Sequence, residues 1–159
     1  MRALWAMALC AILTFAVPAA SVWGQTADPL NGTWQLNLSK SKFVSGPTIK
    51  SQTRAYEVNG DTVKQTLDGV DADGKPTHVT FTAHYDGKEY PVSGNPDADT
   101  ISVKRSDSHS AKSILKKDGK VTATTMRHVS SDGKTLTMET KGTTAKGQKI
   151  DNTLVFDKQ

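Results

Sequence analysis

Two arginines lie where the alternation of a strand would place apolar side chains. Arg127 comes two residues before Val129, and Arg105 comes two residues after Val103. Side chains two residues apart lie on the same face of a β-strand, so each arginine shares a face with an apolar neighbour. If these faces point inward, two guanidinium groups enter the interior of the protein.

A buried guanidinium needs a partner, because an unpaired charge inside a protein is strongly destabilising. One interpretation is that Arg105 or Arg127 holds the anionic head group of a ligand through paired hydrogen bonds. The other interpretation is structural: each arginine lies at a strand end and extends to water, or Arg127 stacks on Trp34. The sequence leaves both interpretations open.

The stretch SDSHS, residues 106–110, contains the residue types of a Ser-His-Asp triad. Neighbours in one short loop do not readily reach the relayed geometry that a triad requires, so we interpret this stretch as a polar turn. Cys10 is the only cysteine, and the chain has no phosphate loop or dinucleotide fingerprint. We therefore expect no catalytic residues, and a protein that is not an enzyme.

Two patterns could suggest a metal site. His78 and His84 are six residues apart on one predicted strand, a separation of roughly 20 Å, which is too far for one ion. The stretches DADG, residues 71–74, and PDADT, residues 96–100, resemble part of a calcium loop but lack its other ligands. We interpret both stretches as turns and expect no metal and no cofactor.

Turn dipeptides that accept positive φ recur along the chain, as tight hairpins between antiparallel strands require. Examples are Asn59-Gly60, Asp86-Gly87 and Asp118-Gly119. Between the turns, apolar and polar residues alternate; Val121, for example, falls on the predicted face of Arg127 and Val129. The pattern predicts ten strands, at 33–38, 48–58, 61–68, 76–85, 88–92, 100–106, 111–117, 120–129, 134–141 and 148–156.

A meander of this length must close or cover its edges. We therefore predict an all-β fold, an antiparallel up-and-down β-barrel of about eight to ten strands. A two-sheet β-sandwich is the alternative, since it would show the same period. The predicted interior wall includes Leu67 and Leu136, and the candidate ligand-binding residues are Arg127, Arg105, Tyr85, Tyr90, Phe81, Met138 and Phe156.

Three stretches carry a resemblance to a known family. GTWQLNLSKSKF, residues 32–43, resembles the first strand of the lipocalin and fatty-acid-binding protein superfamily, the calycins. TTMRHVSSDGKTLTMETKG, residues 124–142, and NTLVFDKQ, residues 152–159, are similar to the last strands of intracellular fatty-acid-binding proteins. The resemblance implies a ligand-binding barrel in which the Trp34 indole closes the bottom.

The chain also departs from that family. The family covers its barrel with a helix-turn-helix between the first two strands, whereas residues 39–47 are too few for two helices, so we expect no helical lid. The Arg and Tyr that grip the ligand carboxylate in the family's final strand correspond here to Leu154 and Phe156. Another anchoring arginine of the family matches Arg127 only after a shift of one residue.

The beginning of the chain has the pattern of a secretory signal peptide. Arg2 is followed by an apolar run, residues 3–17, and small residues lead to Gly24, after which we predict cleavage, with Ser21 as a competing site. The predicted organisation is a signal peptide at 1–24 and one barrel domain at 25–159. We expect export to a periplasm or to the cell exterior.

Charge and hydropathy narrow the set of partners. Without Arg2, 19 basic residues stand against 16 acidic ones, and the basic residues are scattered, so we expect no nucleic-acid partner. No segment approaches the roughly 20 apolar residues of a transmembrane helix. The sequence carries no signal for an oligomeric state.

Two functions fit these observations. In the first, the exported barrel is a carrier that reversibly binds a small hydrophobic or amphipathic molecule, such as a lipid. In the second, the interior is filled by its own side chains, and the protein is a non-catalytic envelope or extracellular protein that acts through its surface. The state of the interior separates the two hypotheses.

Overall fold

A computed structural model describes residues 27–46 and 48–159. The predicted signal peptide, residues 1–24, lies outside the described residues. The elements are eleven strands and one short 3₁₀ helix, Leu38–Lys40. In chain order the strands are β1 (Gly32–Leu36), β2 (Lys42–Ser45), β3 (Ser51–Asn59), β4 (Thr62–Val70), β5 (Pro76–His84), β6 (Asp86–Ser93), β7 (Thr100–Arg105), β8 (Ser110–Lys117), β9 (Lys120–Val129), β10 (Thr135–Thr143) and β11 (Lys149–Lys158).

All eleven strands belong to one antiparallel sheet. From β3 to β11 each strand pairs with the next along the chain, and β1 pairs with both β3 and β11. This last pairing, with Trp34 opposite Lys158 and Leu36 opposite Phe156, closes ten strands into a barrel. The predicted up-and-down barrel is therefore confirmed, and the sandwich alternative is wrong.

Strand β2 is the one element of the sheet that the sequence did not predict. It follows the 3₁₀ helix and pairs with β11 alongside β1, with Lys42 opposite Thr153. The backbone amide of Asn37 donates to the carbonyl oxygen of Val155 at 2.8 Å, and the amide of Val155 donates to the Ser41 hydroxyl at 2.9 Å. The first strand thus continues past a short break, and the described part of the segment between β1 and β3 contains no helical lid, as expected.

The hairpin between β8 and β9 follows the predicted turn chemistry, whereas Asp86-Gly87, predicted as a turn, begins β6. Asp118 and Gly119 join β8 to β9 with φ values of 49° and 75°, so both residues are left-handed. A two-residue turn with two left-handed residues matches the twist of the strands that it joins. Glycine adopts this conformation without a steric penalty, and aspartate tolerates it.

A bulge in β9 corrects one prediction about register. Ala123 lies opposite Leu115, but the next paired residue, Val121, lies opposite Lys116, so Thr122 is inserted between them. Thr122 is buried and its hydroxyl donates to the Asp97 carbonyl oxygen at 2.8 Å, whereas Val121 is 58% exposed. The prediction that Val121 shares the inner face was wrong, because the inserted residue reverses the alternation before Ala123.

The lower half of the barrel, at the end that holds Trp34, is filled with side chains. The most deeply buried large side chains all lie in this layer, which we call the floor. They come from β1, β4, β7, β9, β10 and β11, so the floor links both ends of the sheet. Its members are Trp34, Val63, Val103, Val129, Leu136 and Phe156.

Asp157 fastens the break between β1 and β2 to the last strand. Its carboxylate accepts hydrogen bonds from Asn37 Nδ2 at 2.6 Å and from Lys40 Nζ at 2.9 Å. These two contacts, the Asn37 hydrogen bond above all, lower the pKa of Asp157 from its ordinary value of 3.8.

A lowered folded-state pKa means that Asp157 stabilises the fold at neutral pH and loses this contribution as pH falls through that pKa. We expect Asp157→Asn to be less stable than wild type at neutral pH, with the difference shrinking below about pH 4. Urea unfolding across this range measures it, with Asp151→Asn as a control on the same strand. A difference that stays constant with pH would contradict the assignment.

Candidate ligand-binding site

Trp34 closes the lower end of the barrel from within. Its side chain is fully buried, and Nε1 donates to the carbonyl oxygen of Leu30 at 2.8 Å. Lys158 Nζ lies 5.0 Å from the centre of the indole and donates to the carbonyl oxygen of Pro29 at 3.0 Å. The cation that stacks on Trp34 is therefore Lys158, and the interpretation that placed Arg127 there was wrong.

Arg105 is held by the segment that precedes β1. Its Nη2 donates to Asp28 Oδ2 at 2.5 Å, and its guanidinium carbon lies 4.0 Å from the centre of the Tyr85 ring. Burial lowers the pKa of Arg105, but Tyr85 and Asp28 outweigh burial, so the pKa is raised above its ordinary value. The Asp28 side chain is 12% exposed and that of Arg105 30%. This arginine thus has a carboxylate partner from the protein itself.

Above the floor lies a cavity of about 240 Å³. Its upper walls, towards the loops β2–β3, β4–β5, β6–β7 and β10–β11, are largely apolar. Its base, directly above the floor, is polar and carries two guanidinium groups. The upper walls include Ile49, Leu67, Val79, Val92, Leu115 and Ile150, and the base includes Arg54, Tyr56, Gln65, Arg127, Met138 and Leu154.

Of the residues predicted to bind a ligand, Arg127, Phe81 and Met138 line this cavity. Phe156 is fully buried in the floor, and Arg105 lies against Asp28 below it. Three of the seven predicted ligand-binding residues thus line the cavity.

The two predicted tyrosines lie outside the cavity lining, each in a polar contact of its own. The hydroxyl of Tyr85 accepts a hydrogen bond from Arg127 Nη2 at 3.0 Å. The hydroxyl of Tyr90 donates to Asp86 Oδ2 at 2.9 Å, and its ring meets that of His84 edge-on at 5.4 Å. Tyr85 therefore supports a cavity residue, whereas Tyr90 packs against the core outside the cavity lining.

Arg127 enters the cavity as a half-buried cation. Besides its contact with Tyr85, its guanidinium carbon lies 5.4 Å from the centre of the Tyr56 ring. A phenol oxygen and an aromatic face orient the guanidinium but do not neutralise its charge. The remaining donor groups of Arg127 have no hydrogen-bond partner among the described residues.

Arg54 is a charged cavity residue that the sequence analysis missed. Its Nε donates to Gln52 Oε1 at 2.9 Å and its Nη1 to Gln65 Oε1 at 3.1 Å. Its guanidinium carbon lies 5.4 Å from the centre of the Phe156 ring, so Arg54 rests on the floor. The available signal was its even spacing from Tyr56, which is buried on the same face of β3.

The polar turns carry ordinary turn chemistry. Asp107 Oδ1 accepts the His109 amide at 2.7 Å, and Asp71 Oδ1 accepts the amides of Asp73 and Lys75 at 2.9 Å each. Each carboxylate thus caps its own turn. Within residues 27–46 and 48–159, no three His, Cys, Asp or Glu side chains come together as metal ligands.

Comparisons with known proteins give structural neighbours only. No family model and no curated protein matches the chain. Among solved structures it is similar to a redesigned β-barrel, mFAP1, bound to DFHBI, with 18% identity and a TM-score of 0.45 over 82% of this chain and 95% of that one. It is also similar to zebrafish ileal bile acid-binding protein complexed with cholic acid, with 11% identity and a TM-score of 0.46 over 82% and 99% of the two chains.

Ten antiparallel strands in meander order close into one barrel. The fold is calycin-like. The resemblance read from the two ends of the sequence is therefore confirmed at the level of fold. In the described part of the chain, no helix has the length and apolar character to cross a membrane.

The ion pair between Asp28 and Arg105 gives a test of the lower end of the barrel. We expect Asp28→Asn to lower the free energy of unfolding by about 1–3 kcal/mol, because the half-buried Arg105 loses a charged hydrogen-bond partner. Chemical denaturation measures this, with Glu57→Gln as a control, since its pair with Lys64 is exposed and contributes at most about 1 kcal/mol. Equal effects of the two substitutions would contradict a structural role for Asp28.

Proposed function

We propose that this protein is an exported carrier that reversibly binds a small hydrophobic or amphipathic molecule inside its barrel, without a covalent step. The observation that carries this proposal is the cavity of about 240 Å³ above a fully packed floor. A barrel that acted only through its surface would need no such space. Largely apolar walls with a few polar groups are the usual composition of a small-molecule site.

Polar side chains inside the barrel support the interpretation that the space is a binding cavity and not a poorly packed core. Buried Gln65 and Asn152 line the cavity, where an ordinary core would place apolar side chains. The described residues contain no buried side-chain nitrogen or oxygen without a hydrogen-bond partner. Accessible polar groups in the lining, such as the guanidinium of Arg127, suit an interior that holds water when empty, and a ligand can displace that water.

The dimensions of the cavity favour a compact ligand. Typical ligand pockets enclose roughly 300–1,000 Å³, so this cavity of about 240 Å³ is slightly smaller than that range. A long-chain lipid would have to extend through the mouth of the barrel into solvent. We therefore favour a molecule with one or two rings or a short chain.

Export is a separate part of the proposal, and it rests on the sequence of residues 1–24. Cleavage after Gly24 would leave the whole segment that covers the floor in the mature protein. Its first contacts come from Asp28, which pairs with Arg105, and from Leu30, which is 2% exposed. The mature chain would thus keep every described contact of the closed end.

Native mass spectrometry of the mature protein, purified from its own export compartment, tests carriage directly. We expect a reproducible mass adduct that also appears in an organic extract of the protein. A bare mass that persists after incubation with lipids, isoprenoids and aromatic metabolites would contradict the proposal.

A pair of tryptophan substitutions on β4 tests the location of the adduct. Leu67 lines the cavity, whereas its neighbour Thr66 faces outward. We expect Leu67→Trp to abolish the adduct by filling the cavity, and Thr66→Trp to retain it. Thermal unfolding of both variants checks that each is folded. An adduct that survives Leu67→Trp in a folded protein would place the ligand outside the barrel.

A further inference from the structure

Two histidines lie side by side at the closed end of the barrel, outside the cavity lining. His109 belongs to the loop that precedes β8, and His128 lies near the end of β9, directly opposite Ser110. Their ring centres are 6.4 Å apart, and the ring planes are inclined at 40°. Because the pairing of β8 with β9 brings the rings together from different segments, no local pattern in the sequence indicates this pair.

Hydrogen bonds at Nδ1 leave the Nε2 atom of each ring without a partner. His109 Nδ1 lies 3.0 Å from the carbonyl oxygen of Val129, which can only accept, so Nδ1 carries the proton and Nε2 keeps its lone pair. His128 Nδ1 lies 3.0 Å from the Ser110 hydroxyl, which can accept from the same tautomer. Neither Nε2 has a hydrogen-bond partner among residues 27–46 and 48–159. A neutral imidazole with a lone pair on Nε2 is a form that binds metal ions.

The contacts at Nδ1 are of the kind that orients metal-binding histidines. A ligating histidine almost always donates its other ring N–H to a carboxylate, a backbone carbonyl or water, which fixes the direction of the ring. The carbonyl of Val129 has this role for His109, and the hydroxyl of Ser110 has it for His128. Val129 is 1% exposed and packs in the floor, so the group that orients His109 belongs to the best-packed layer of the barrel.

The separation of the two rings suits one shared ion. A metal ion lies about 2.0–2.1 Å from a ligating imidazole nitrogen, and hence roughly 3 Å from the ring centre. Two rings that share an ion therefore have centres roughly 4.5–6.5 Å apart, depending on the angle at the metal. The observed 6.4 Å lies within this range. The His128 side chain is exposed, and exposed side chains rotate readily, so it can turn towards the ion.

The pair lies next to a carboxylate and is open to solvent. Asp107 Oδ1 accepts the backbone amide of His109 at 2.7 Å, and this contact above all lowers the pKa of Asp107. The carboxylate is therefore ionised at neutral pH, and its negative charge favours a cation beside it. Among the described residues no third His, Cys, Asp or Glu completes a ligand set, so water would occupy the remaining positions on the ion.

We propose that the Nε2 atoms of His109 and His128 form a surface site for a divalent late transition-metal ion, with water in the remaining positions. Imidazole suits Cu²⁺, Ni²⁺ and Zn²⁺, and Cu²⁺ binds a given site of this kind most tightly, so Cu²⁺ is the preferred ion. The site goes beyond the proposed function, since neither histidine lines the cavity. The expectation of no metal rested on the spacing of His78 and His84, which says nothing about this pair.

Titration of Cu²⁺ into the mature protein, free of any histidine tag, tests the site. Isothermal titration calorimetry gives the affinity and the stoichiometry, and electron paramagnetic resonance shows whether imidazole nitrogens bind the ion. We expect one Cu²⁺ ion per chain, with hyperfine coupling to imidazole nitrogen, and weaker binding of Ni²⁺ and Zn²⁺.

Single substitutions assign the ion to the pair. His109→Gln and His128→Gln are each expected to weaken Cu²⁺ binding about tenfold or more, at least the effect of losing an outer hydrogen-bond partner of a metal ligand. His78→Gln is the matched control, because His78 is exposed on another strand and contacts a single carboxylate, that of Asp68, at 2.7 Å. This control should leave the affinity unchanged. Thermal unfolding checks that each variant is folded, and the exposed position of His128 keeps the test valid if His109→Gln is destabilised.

The outcomes separate the metal site from the carrier. Absence of Cu²⁺ binding, or binding that survives substitution of either histidine, would overturn the site. Leu67→Trp fills the cavity and should leave Cu²⁺ binding unchanged, so loss of the ion in this folded variant would place it in the barrel and also overturn the site. A bare native mass after incubation with organic ligands contradicts the carrier alone.

Discussion

The pairing of β1 with β11 is the constraint on which the rest of this structure depends. It joins the first strand of the sheet to the last, across more than a hundred residues of chain, and so removes the edges that an open meander would expose. The same pairing brings Trp34 beside Phe156 and Lys158. Closure of the sheet and packing of the floor are therefore one event, since neither has its partners without the other.

Because the floor is packed, the upper half of the barrel can keep a cavity. Side chains from six strands fill the lower layer, so the most deeply buried large side chains, and the stabilisation that their burial supplies, lie there. The upper interior can then retain space and polar groups that a core could not tolerate. Arg54 illustrates the dependence, because its guanidinium rests on the ring of Phe156 while its donors face the cavity.

The sequence was sufficient for the fold because the strand period, the turn dipeptides and the closing motifs agree with one another. It was less informative about details that depend on pairing across the sheet. The inward position of Arg127 was predictable from Val129, but the bulge that turns Val121 outward depends on the register with β8. Strand β2 was missed because its pairing with β11 follows a break that no local pattern marks.

The charge balance of the site was also beyond the sequence. Arg105 and Arg127 appeared equivalent, and only the position of Asp28 shows that one of them is neutralised by the protein. Arg54 was overlooked because Gln52 and Arg54 make that face of β3 look polar and hence solvated. Its inward direction follows from the pairing of β3 with β1 and β4, which lies between distant segments.

A crystal structure with bound 6-bromonaphthalene-2-carboxylate tests the central claim most directly, because the anomalous signal of bromine shows both the position and the direction of the ligand. The account predicts the bromine inside the barrel, in the cavity that Leu67 and Val79 line. A ligand bound outside the barrel would contradict it.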